Sequence, residues 1–125
     1  MIRVRGDNDM ESILNSIKKN LGLHEEDTVF NADLIMHINS VFGILYQMGV
    51  GPKEPFSISG SSEQWSDFLN DNIKINYVKS YMEKKVKLLF DPPVSSAVVD
   101  SINNMIHELE WRLYSEENYH KEQEK

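Results

Sequence analysis

A chain of 125 residues with 40% hydrophobic and 26% charged positions has room for one core and enough apolar surface to fill it, so a single folded domain is expected. The absence of cysteine excludes disulfides, thiolate nucleophiles and cysteine-bearing zinc sites, and it suits a reducing cytoplasm. A net charge of −7 argues against the basic footprint of a nucleic-acid binder, and no apolar run approaches the roughly 20 residues that cross a bilayer. Met1-Ile2-Arg3-Val4-Arg5-Gly6 lacks the apolar stretch of a signal peptide, so the chain is expected to stay where it is translated, with no membrane partner.

Residues 1–9 read as a flexible extension, two arginines alternating with Ile2 and Val4 before the turn-like Gly6-Asp7-Asn8-Asp9. Met10, Ile13, Leu14, Ile17 and Leu21 then recur at helical spacing, with Asn8 and Glu11 resembling a capping box and Gly22 standing where a C-cap glycine belongs. After an acidic segment, Asn31 is the expected N-cap of a second helix, with Asp33 in its first turn. Its stripe is Leu34, Ile38, Val41, Leu45 and Met48, broadened by Ile35, Phe42 and Tyr46, and Met48-Gly49-Val50-Gly51-Pro52 ends it.

Phe56-Ser57-Ile58-Ser59 alternates apolar and polar residues and reads as an extended loop that tucks two side chains into the core. Ser62 is the expected cap of a short helix carrying Trp65, Phe68 and Leu69. From Ile73 a further helix uses Tyr77, Val78, Tyr81, Met82, Val86, Leu88, Leu89 and Phe90, and stops at Asp91-Pro92-Pro93. Ser95 or Ser96 then caps a last helix with the seam Val98, Val99, Ile102, Met105, Ile106, Leu109 and Leu113, and the polar composition from Ser115 to Lys125 predicts fraying. The sum is an all-α fold of four main helices and one short one.

Chemical motifs are scarce. His107-Glu108-Leu109-Glu110-Trp111 starts like the zinc-protease pattern H-E-x-x-H, but Trp111 occupies the place of the second histidine. Asp33 and His37 share a helical spacing and read more simply as a surface pair. Gly49-Val50-Gly51-Pro52 follows a helix and lacks the lysine of a phosphate loop. No nucleophile-and-base signature organises the Ser, Asp and Glu residues, so no enzyme, metal or cofactor is expected. The lysines at 79, 84, 85 and 87 spread over more than one helix face. Trp111 lies two residues from both Leu109 and Leu113, off their seam, and with Tyr114 beside it suits a partner contact.

Several segments in order resemble the small head-tail connector proteins of siphophages and prophages. They are Met10-Glu11-Ser12-Ile13-Leu14 with Ile17-Lys18-Lys19, Ile35-Met36-His37-Ile38-Asn39, Met48-Gly49-Val50-Gly51-Pro52 and Trp65-Ser66-Asp67-Phe68-Leu69. Above all they include Leu88-Leu89-Phe90-Asp91-Pro92-Pro93 with Glu108-Leu109-Glu110-Trp111-Arg112-Leu113. The likeness covers Met10 to Glu117. It implies a connector domain over residues 10–117, followed by a polar, disordered tail over 118–125. It further implies a homo-oligomeric ring in the virion neck, below the portal protein and above a tail-side neck or stopper protein, with DNA as passing cargo. Phe90, Asp91, Pro92, Pro93, Trp111, Arg112 and Tyr114 are the candidate interface residues, and the segment from Trp111 onward is expected to dock while the core folds without it. The alternative is a DNA-associated phage packaging or regulatory protein, which would show salt-dependent DNA binding. A small hydrolase comes third and would need a deep pocket of convergent polar groups.

Overall fold

A computed structural model of the chain describes the backbone of residues 11–123 and the side chains of residues 11–114. Five helices follow in order, α1 (Ile13–Asn20), α2 (Asn31–Gln47), α3 (Trp65–Phe68), α4 (Lys74–Phe90) and α5 (Ser96–Gln123), with no strand among the described residues. The all-α architecture expected from periodicity is therefore the one adopted. The extension expected over residues 1–9 lies outside the described residues, and residues 118–123, expected as a tail, continue the α5 backbone.

Helix ends show how local sequence and tertiary contacts divide the work. Both α1 and α2 close in the same way. Gly22 and Gly49 adopt φ values of 80° and 81°. Leu23 and Val50 donate back to the Lys18 and Leu45 carbonyls at 2.8 and 2.9 Å, while each glycine bonds one residue further on. The starts differ from expectation. Asn8 lies outside the described residues, and the cap of α1 is Ser12, whose hydroxyl accepts from the Asn15 N–H at 3.2 Å. Asn31 is the first helical residue of α2 instead of its cap. The cap of α3 is Gln64, whose N–H is held by the Asp67 carboxylate at 2.8 Å, so Ser62 plays no such part. Ser95 does cap α5, its hydroxyl facing the Val98 N–H at 3.4 Å.

The core gathers around α4, the helix that α1, α2 and α5 all touch. Val78, Tyr81, Met82 and Val86 of α4 are fully buried against Leu34, Ile38, Val41, Phe42 and Leu45 of α2 and Ile13, Leu14 and Ile17 of α1. From α5, Ile106 and Leu113 join this core, with Ile102 and Leu109 at its edge. Ile73, Leu89, Val98, Met105 and Tyr46, counted above with the apolar stripes, are exposed, because the helices they sit on are wider than the surfaces that cover them.

Polar groups fix the connections. The Asn39 amide donates to the Ile58 carbonyl at 2.9 Å and accepts from its N–H at 2.8 Å, imitating a strand partner. That bond holds the extended loop with Ile58 buried and Phe56 packed on the core, as its alternation suggests. The buried Lys18 ammonium donates to the Glu25 and Asp27 carbonyls and so pins the acidic loop after α1.

Two measurements test this packing. Ile38 is fully buried, and an unpaired charge there costs several kcal/mol, roughly the stability of a whole domain. Ile38→Asp is therefore expected to show no cooperative denaturant transition, and a soluble, cooperatively melting variant would refute the packing described. The second concerns Glu83. Burial raises its carboxyl pKa, Lys84 and Lys79 pull it down, and Glu11 pushes it up, with a net rise. A carboxyl raised in the folded state binds its proton more tightly there, so stability falls as pH climbs from the ordinary glutamate range through the raised value. Glu83→Gln is expected to melt higher than the parent at pH 7 and to lose that advantage in acid below the ordinary range; a lower melting temperature at pH 7 would contradict it.

Candidate functional site

The α4–α5 corner forms from chemistry visible in the sequence. Asp91 ends α4 with φ −147° and ψ 68°, away from helical geometry, as expected before a proline. Its N–H reaches the Lys87 carbonyl at 2.9 Å and its carboxylate pairs with the Lys87 ammonium at 2.8 Å. Pro92 is exposed and Pro93 half-buried, and Val94 is fully exposed at 105%. A residue ahead of a helix cap often staples against the first turn, but a Val94 this exposed makes no such contact. Phe90 is half-buried and meets Phe30 edge-on at 5.2 Å between ring centres, which ties the end of α4 to the start of α2. Its first role is therefore internal. Val29 and Leu89, next to these rings in the chain, stay exposed, as does Val98 in the first turn of α5.

At the other end of α5 the residues separate by azimuth. Ile102, Ile106, Leu109 and Leu113 line the inward face, and Trp111, about 200° round the helix from Leu109 and from Leu113, is 67% exposed. Tyr114 is 56% exposed and lines a groove with Tyr46, Met48, Gly51, Pro52 and Lys53 at the C-terminal end of α2. A Cβ on Gly51 would lie 2.5 Å from the Phe68 ring, so only glycine lets this loop seat against α3. Arg112 is committed along its own helix, bonding Glu108 at 2.7 Å, and it also reaches Tyr77 of α4.

The structure does not bring the seven candidate interface residues together. Phe90, Asp91, Pro92 and Pro93 lie at the start of α5, whereas Trp111, Arg112 and Tyr114 lie roughly 22 Å further along at about 1.5 Å per residue. One expectation needs correction. A chain ending at Glu110 would lose Leu113, which is fully buried, so the segment from Trp111 onward is part of the core as well as a candidate docking element; just before it, Glu110 accepts a 2.7 Å hydrogen bond from the buried Tyr81 hydroxyl. Burial, followed by the bond and charge of Glu110, pushes the Tyr81 pKa well above its usual range, so this hydroxyl remains a donor at every physiological pH. His107 stands beside the same carboxylate at 3.4 Å.

The groove residues Tyr46 and Lys53 and the exposed Val94 were missed in the sequence, where Tyr46 read as part of the apolar stripe. The lysines at 79, 84, 85 and 87 of α4 each have an internal neighbour. Lys79 lies 5.9 Å from the Trp65 ring centre and Lys85 5.9 Å from that of Tyr81, while Lys84 bonds Ser80 at 2.9 Å and Lys87 pairs with Asp91. They make no continuous stripe for a phosphate backbone. Among the described residues no three His, Asp or Glu side chains converge as metal ligands, and no helix is long and apolar enough to cross a membrane.

No curated protein and no solved structure matches this chain. Its sequence does match the phage connector protein family over residues 13–120, a span that takes in α1 through α4 and most of α5. With that match over most of its length and an all-helical fold whose exposed aromatic residues face outward, the chain belongs to the phage connector protein family and is a structural head-tail connector protein of a bacteriophage.

Proposed function

We propose that the chain is the repeating subunit of a ring in the virion neck, seated below the portal protein, continuing the DNA channel and offering its far side to a tail-side neck or stopper protein. Residues 10–117 form the connector domain in this reading. The observation that carries it is the outer face of α5: Trp111 points away from a fully buried Leu113 two residues later, a large apolar surface with no use inside the subunit. Tyr77 and Tyr81, in the first half of α4, already lie against Arg112 and Glu110, so the rest of the antiparallel α5 runs on past the start of α4, where a partner can meet it. Its composition there is polar, which gives it little reason to fold back. The net charge of −7 fits a channel wall, since fixed positive charge would hold the phosphates of passing DNA.

The docking role is tested on a chain ended after Tyr114, which retains Leu113 and Glu110, and on Trp111→Ala. Both are expected to keep the helical circular-dichroism signal, with stability changed by about 0.5 kcal/mol or less for the exposed Trp111. Both should fail to complement a phage lacking the gene, giving filled or leaking heads beside free tails. Infectious tailed particles from the folded, shortened chain would place docking elsewhere and sink the reading.

The proline pair sets the direction in which α5 turns back along α4, because each ring fixes φ near −65° and removes a donor. Pro92→Ala with Pro93→Ala is expected to leave the subunit folded, since Pro92 is exposed and Pro93 only half-buried, yet to lower virion yield. A normal yield of tailed particles would count against a directing role for the corner.

A further inference from the structure

Resting on the ring reading, we propose that its repeating contact is made when the Asp91-Pro92-Pro93-Val94 corner of one copy docks in the groove between Tyr46, Pro52, Lys53 and Tyr114 of the next. Three observations point to this pairing. The chemistry matches: stiff, extended proline segments dock between aromatic side chains, and they lose little conformational entropy because proline has already fixed the backbone. The corner offers an exposed Pro92 and a fully exposed Val94, and the groove offers the half-exposed rings of Tyr46 and Tyr114.

The charges also match. Lys53 on the rim of the groove is exposed, and the Asp91 carboxylate, 61% exposed beside its own Lys87, has room for a second cation. Finally, the two surfaces lie at opposite ends of the subunit. A patch and its complementary groove on different parts of one molecule repeat head to tail, and the repeat closes into a ring when the rotation per subunit divides the circle. Both surfaces are held in advance, the groove by the Gly51 loop seated on Phe68 and the corner by Asp91 bonding back to Lys87. Trp111 is not among the groove residues and stays free for the portal side.

Because the chain has no cysteine, an introduced pair reports the contact directly. Particles carrying Lys53→Cys together with Val94→Cys are expected to give, on mild oxidation, a ladder of disulfide-linked multimers, since bridging requires Cα atoms within about 7 Å. Either substitution alone should give no cross-link between copies, because a head-to-tail contact never joins like positions. Particles that contain the doubly substituted chain but show no ladder, or that show a cross-link to a different protein, overturn the contact and leave the ring reading standing. Absence of the unsubstituted chain from purified particles overturns the ring reading itself. If the cysteine pair keeps the chain out of particles, charge reversal decides. Asp91→Lys and Lys53→Asp are each expected to lower particle yield by about tenfold or more and to restore it when combined; losses that add instead overturn the contact.

Discussion

The fold depends on one side chain, Trp65. Its indole is fully buried, its Nε1–H donates to the Ser16 hydroxyl of α1 at 2.9 Å, Phe42 of α2 lies 6.4 Å away, and the Lys79 ammonium of α4 sits over its ring. Three helices thus meet on a residue that belongs to a fourth of only four residues. A helix that short has no stability of its own, so α3 exists because Trp65 and Phe68 are buried and not because its sequence favours a helix. Truncating a buried side chain of this size costs about 3–5 kcal/mol, a large part of a domain's stability. The same residue governs the proposed docking groove at one remove. Phe68 meets Phe42 at a tilt and Phe56 edge-on and sets the floor on which the Gly51 loop rests, and that loop is one wall of the groove beneath Tyr114.

Connections between helices are held by polar groups whose worth comes from burial. The Asn39 amide satisfies both backbone groups of Ile58, and the Lys18 ammonium collects carbonyls from the acidic loop. Glu63 works in the opposite sense to Glu83. Desolvation opposes its charge, but the Ser59 N–H and hydroxyl, with further backbone groups at Glu63 and Gly60, outweigh it and lower its pKa. These contacts join residues far apart in sequence or across turns, and so restrict the geometry of each loop.

This division explains what could be read from the sequence. Helix existence followed from period, because Leu34, Ile38, Val41 and Leu45 bury one face whatever their neighbours are. The glycine stops were equally local, since positive φ is a property of one residue. Helix starts were not: Ser12 caps α1 where its backbone bridges Gln64, and that bridge is a tertiary fact that no window around Asn8 contains. Trp111 was legible as outward-facing because azimuth follows from counting residues along one helix. The groove was not, since it joins residues 46–53 to Tyr114 across the whole fold. Nor could the sequence separate the burial of Leu113 from the proposed docking segment, because that burial depends on α4 running alongside α5.

In α5 a core contact becomes an orientation. On α5, Leu113 and Trp111 are two residues apart, so burying one fixes the direction of the other to within the freedom of the helix to roll. Apolar packing alone resists rolling weakly, because neighbouring apolar positions can exchange places at modest cost. The Tyr81–Glu110 hydrogen bond removes that freedom: its donor is immobile in the core, and a rolled α5 would leave a buried hydroxyl unpaired. Trp111 is then presented to solvent in one direction by every copy. The proposed ring would need that uniformity, since each subunit would have to offer its partner the same surface at the same angle, and any angle left unset would have to be fixed at the moment of docking, at the expense of affinity.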